Sequence, residues 1–152
     1  MKKGQAALDF LMTYGWAIAL VVIVAAALFA LGVFDVSNFI GTKASGFSGV
    51  AIQGWSFTGS TGVLAVKLTN QVGQRVNVTG MSGVIGTSTQ TFNVSSLSSG
   101  LDTGATSGQL NSSAFTVQGS GTGYQAVLTI NYTDLNSGFA ASTKGTLTGK
   151  AI

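Results

Sequence analysis

Residues 10–34 form a run of 25 positions without one charged side chain, bracketed by Asp9 and Asp35. Its centre, Ile18-Ala19-Leu20-Val21-Val22-Ile23-Val24-Ala25-Ala26-Ala27-Leu28-Phe29-Ala30-Leu31, is apolar at every position. Wound as a helix, the run spans roughly 37 Å at 1.5 Å per residue, which exceeds the hydrocarbon core of a bilayer. No polar stripe interrupts it, so it must be immersed in lipid or enclosed by other helices. Lys2 and Lys3 precede it. Positive charge before a span holds that end in the cytoplasm, so residues beyond Asp35 are expected outside the membrane.

The physics changes near residue 38. The stretch 41–47, with Gly41-Thr42-Lys43-Ala44-Ser45-Gly46, is too polar and flexible to continue a helix and reads as a linker. Beyond it the apolar period becomes two. Leu64, Val66 and Leu68 alternate with Ala65 and Lys67, and Tyr124, Ala126, Leu128, Ile130 and Tyr132 alternate with Gln125, Val127, Thr129 and Asn131. Further strands are predicted over 50–57, 75–79, 89–94, 114–118 and 139–147, with turn signals at 59–62, 70–73, 119–121 and 136–138. About seven short strands at this spacing predict an antiparallel, immunoglobulin-like β-sandwich head over 48–152, so the fold class is α+β. The polar run 95–113 is a long surface loop, pinned by Leu97, Leu101 and Leu110.

Composition excludes several functions. The 152 residues contain no His, no Cys and no Glu, which removes the usual bases, thiol nucleophiles and transition-metal ligands. Beyond the apolar run the only acids are Asp35, Asp102 and Asp134, far apart in sequence. A Ser–Lys pair using Lys67 or Lys144 has no motif behind it. The chain therefore does not read as an enzyme, and no metal or cofactor is expected. Net charge is +3, of which Lys2 and Lys3 supply two, which leaves no electrostatic footprint for nucleic acid. Charged residues make up 7% of the chain, against about a quarter in soluble domains. Such a surface fits a protein covered by lipid, by copies of itself or by sugar.

The N-terminus reads Lys2-Lys3-Gly4-Gln5-Ala6-Ala7-Leu8-Asp9-Phe10-Leu11, a basic pair and a Gly directly before the apolar run, with one acid at its start. These residues, with Phe10-Leu11-Met12-Thr13-Tyr14-Gly15-Trp16-Ala17, resemble the archaeal type IV pilins and their class III signal peptides over residues 2–34. The resemblance implies cleavage between Gly4 and Gln5 by a prepilin peptidase, with 1–4 as leader and 5–40 as a helix retained in the mature chain. It places Asp9 fifth after the cut, where the family commonly has an acid, usually Glu, that can meet a neighbouring subunit's amine. It implies a helical homo-oligomer at the cell surface, built with pilus assembly machinery from a membrane-held precursor. Physical chemistry is consistent with that processing. The cut removes both lysines that resist extraction from the membrane, creates a cation at Gln5, and leaves small residues such as Ala6, Ala7, Gly15, Ala19 and Ala26 for close helix packing.

Other readings stand beside this one. Ala25-Ala26-Ala27 satisfies an ordinary secretory cleavage pattern that would release a chain beginning at Leu28, and the span length also suits an uncleaved anchor. A membrane-anchored binding module, a minor pilin-like assembly factor and an archaellin-type filament subunit share the same N-terminal logic. Asp9 can also be read as a residue favoured by the helix N-terminal dipole alone. Trp55, Phe57, Phe92, Tyr124 and Phe139 are expected in the core rather than on a ligand platform. The Gly-rich stretch 119–123 lacks the Lys of a phosphate loop and reads as a hairpin connection. Four glycosylation sequons begin at Asn77, Asn93, Asn111 and Asn131. Residues 39–152 hold six Asn and 33 Ser or Thr among 114 positions, so roughly two such motifs arise by chance and four is a weak excess.

Overall fold

The computed structural model describes residues 2–31, 33 and 41–152 and divides the chain into two compact units, Met1–Phe39 and Ile40–Ile152. In the first, helix α1 (Lys2–Ala30) is continuous over 29 residues. The β-branched run Val21-Val22-Ile23-Val24 is a modest helix former in water. In apolar surroundings the helix is favoured regardless, because every backbone group is satisfied within the segment. Leu31 N–H still donates to the Ala27 carbonyl (2.9 Å), and Val33 N–H reaches back to Leu28 (3.1 Å), a wider closing turn. The helix starts at Lys2, ahead of the expected Gln5, and ends at Ala30; positions 32 and 34–40 of the expected helix lie outside the described residues.

The second unit is an antiparallel β-sandwich. Its strands are β1 (Lys43–Ser45), β2 (Val50–Thr58), β3 (Val63–Asn70), β4 (Val76–Ile85), β5 (Ser88–Thr91), β6 (Leu110–Asn111), β7 (Gly123–Asp134) and β8 (Ala140–Lys150). A five-stranded sheet runs β1-β8-β7-β4-β5 and a three-stranded sheet runs β2-β3-β6. The inward residues alternate as the period of two requires: Leu64, Val66 and Leu68 on β3 face Tyr124, Ala126, Leu128 and Ile130 on β7 across one core. Phe57 packs between the rings of Tyr124 (4.9 Å) and Phe115 (6.4 Å). Leu97, Leu101 and Leu110 are buried and anchor the long loop, which contains a single 3-10 turn at Ser95–Leu97.

Several expectations are corrected. The supposed linker contains β1, paired with β8 from Lys43↔Thr148 to Ser45↔Thr146, and Thr148 Oγ1 donates to the Gly41 carbonyl (2.9 Å). Residues 114–118 form no strand. Phe115 N–H donates to Gly62 and Gln118 N–H to Gly59, so the segment is held by the β2–β3 turn, which offers no ladder. Close approach there requires glycine: Gly62 has φ +70°, and a Cβ on it would collide with the Phe115 carbonyl. β4 is twice the predicted length, because a bulge between Val78 and Gly80 resets the alternation and its inward set becomes Val76, Val78, Met81, Gly83 and Ile85. Phe139 is not in the core; it is 77% exposed at the β7–β8 turn.

Candidate assembly and modification sites

The first candidate site is the N-terminal helix. Among the described residues α1 alone is long and apolar enough to cross a membrane, and none of its described side chains is buried. At 100° per residue, Gly15, Ala19, Ala26 and Ala30 fall on one side. On another side Phe10, Tyr14, Ala17, Ile18, Val21 and Val22 line an apolar groove of about 410 Å³, with the Phe10 and Tyr14 rings 4.7 Å apart. Gly4 and Gln5 lie within the helix, and Gly4 meets no atom within 4 Å of an added Cβ.

Asp9 is the only acidic side chain on α1 and is exposed. Counted from Lys2, it stands seven residues into the helix, about 10 Å along the axis. The dipole effect fades within the first turn, so it gives Asp9 little support in a helix that begins at Lys2. With Gln5 as the first residue, the same carboxylate would close the first turn, near the new amine.

In the head, each described acid is engaged locally. Asp102 pairs with Arg75 (3.1 Å) at the surface, a contact of small energetic weight. Asp134 Oδ1 accepts from the backbone N–H groups of Asn136 (2.7 Å) and Ser137 (3.2 Å), and these bonds hold its carboxyl below the usual range. Neither belongs to a carboxylate pair. The Tyr124 phenol is pushed up to about 12 by desolvation, partly offset by its hydrogen bond with Trp55. Trp55 borders a shallow depression of about 300 Å³ with Gly54, Ser56, Ala65, Val66, Lys67 and Gln109, and no second aromatic ring converges on it. A saccharide platform normally needs such convergence.

The four sequons occupy different environments. Asn77 on β4 and Asn131 on β7 stand on the outer face of the five-stranded sheet, with Asn77 opposite Thr133 and Asn131 opposite Gly80. The Thr79 hydroxyl donates to the Asn131 carbonyl (3.2 Å), and Asn77 Oδ1 is buried without a partner. Asn111 on β6 is exposed and its Oδ1 accepts from Gln109 Nε2 (3.0 Å). Asn93 lies past the end of β5, exposed, with Oδ1 accepting from both the N–H (3.1 Å) and the hydroxyl (2.6 Å) of Ser95. Sequence alone marked all four equally; the Asn-x-Ser turn at Asn93 is a local signal that could have set it apart.

The chain matches no protein-family model and no curated protein.

Proposed function

We propose that this chain is the precursor of a structural subunit of an extracellular filament of the archaeal type IV pilin kind. The observation that carries this reading is α1: a 29-residue helix, uncharged from Phe10 and apolar on every side from Ile18, with no described side chain buried. Such a surface is stable only in lipid or against other helices, and a filament subunit meets the two environments in turn. As precursor, the helix lies in the membrane with Lys2 and Lys3 on the cytoplasmic side. Peptidase cleavage after Gly4 removes those charges, and the helix can leave the bilayer once copies of itself cover it. The small-residue side permits backbones to approach closely, and the aromatic groove accepts a neighbouring ridge.

Asp9 has a defined part in this reading. A carboxylate within an apolar bundle costs several kcal/mol unless paired, and the amine created at Gln5 of an adjacent copy is the partner at hand. Pairing would fix the axial register between subunits. Asp9→Ala is expected to leave the precursor in the membrane and to abolish or sharply reduce sheared filaments seen by electron microscopy. Wild-type piliation in that variant would refute the role given to Asp9.

A further inference from the structure

The geometry assigns Asn93 as the residue of the head that carries an N-linked saccharide. This inference needs only the part of the reading that places the head outside the membrane; it does not depend on polymerisation. Three properties are required of an acceptor asparagine. Its amide must face solvent, its backbone must be free of a two-sided strand ladder so that a transferase can hold it as a turn, and its Ser or Thr hydroxyl must act on that amide and not elsewhere.

Asn77 and Asn131 fail the second requirement, since β4 and β7 are interior strands of the five-stranded sheet, paired on both sides. Asn77 also fails the third, because its Thr79 hydroxyl is spent on the Asn131 carbonyl. At Asn111 the amide oxygen is held by Gln109 instead of by its own Ser113. Asn93 meets all three. Its neighbours Phe92 and Leu97 are buried, which clamps the segment on the sandwich, while its own side chain is exposed. Its backbone N–H donates to the Asn111 carbonyl (3.2 Å) at the very end of the pairing.

Because Ser95 N–H can only donate, the atom it meets must be Oδ1, so Nδ2 is the atom turned to solvent. Two donors on Oδ1 draw electron density from the amide and make the Nδ2 proton easier to remove. The co-substrate is a lipid-phosphate-linked saccharide, presented by a membrane transferase on the outer side. The Nδ2–C1 bond forms, the C1–O bond to phosphate breaks, the phosphate leaves with the lipid, and one amide proton passes to a base of the transferase.

The test is the mass of the full chain isolated from the surface of its own cells. No Lys or Arg lies between Arg75 and Lys144, so one tryptic peptide contains all four sequons, and chymotryptic cleavage beside Phe92 is needed to separate them. The expected result is a chain heavier than its polypeptide, with the added mass on the peptide holding Asn93. Asn93→Gln and Ser95→Ala should each lower the mass to that of the bare chain, whereas Ser95→Thr should retain it. A bare wild-type chain, an increment that survives Asn93→Gln, or one mapped to Asn77, Asn111 or Asn131 would overturn the assignment. The N-terminus read in the same spectra reports on the filament proposal separately.

Discussion

At the residue scale the head depends on a few polar groups buried with complete partners. Asn70 is fully buried at the end of β3 and uses its whole amide: Nδ2 donates to the Gln74 (2.7 Å) and Leu101 (2.8 Å) carbonyls, and Oδ1 accepts from Val72 N–H (2.9 Å). It ties the β3–β4 turn to the long loop. Asn70→Ala strands the Gln74 carbonyl and the Val72 N–H, while the Leu101 carbonyl keeps its bond from Val76 N–H; denaturant unfolding should show a loss of about 2–4 kcal/mol, and a loss within about 0.5 kcal/mol would contradict this account. Tyr124 makes a second prediction. Its phenol is raised to about 12 in the folded head, against 10 when unfolded. A raised value favours the protonated folded form, so the contribution is complete below pH 10 and is lost as pH climbs towards 12. Stability should fall over that interval, and the tyrosinate absorbance of Tyr124 should emerge only as the head unfolds.

At the scale of elements the three-stranded sheet shows how a marginal strand is held. β6 has two residues, yet it pairs with β3 at Ala65↔Asn111 and Val66↔Leu110. On either side a serine closes the ladder with its hydroxyl. Ser112 accepts from Leu64 N–H (3.0 Å) while its own N–H donates to the Leu64 carbonyl, and Ser107 does the same with Leu68 (2.9 Å). Ser107→Ala or Ser112→Ala should each cost about 1–3 kcal/mol, the range for a buried donor left unpaired. The Leu64 or Leu68 amide should exchange with solvent markedly faster; unchanged protection would refute the role. These elements also mark where the sequence was readable. β3 and β7 alternate without interruption and were legible from their leucines and tyrosines, as was the pinning of the long loop by three leucines. β4 was read at half its length, because the Thr79-Gly80 bulge inverts the phase, so Met81, Gly83 and Ile85 do not continue the alternation of Val76 and Val78. β1 was read as linker, since three residues, two of them outward-facing, carry no period and are strand only because β8 offers an edge. Asn77 and Asn93 read alike as tripeptides, and only strand pairing and the partner of the Thr79 or Ser95 hydroxyl separate them.

At the scale of the whole molecule, two units with opposite solvent preferences share one chain: a helix that cannot remain in water alone and a charge-poor sandwich with its own core. The tail of the apolar run, the acid at Asp35 and the approach to Gly41 fall in positions 34–40, outside the described residues. In the function we propose, the fate of the helix turns on cleavage between Gly4 and Gln5. The measurement that tests this most directly is the N-terminal sequence and intact mass of the protein from sheared surface material, compared with the membrane fraction. A chain beginning at Gln5 in the sheared fraction, with Met1 or Lys2 confined to membranes, is the predicted result. A surface chain beginning at Leu28, or a full-length chain found only in membranes, would contradict the filament account.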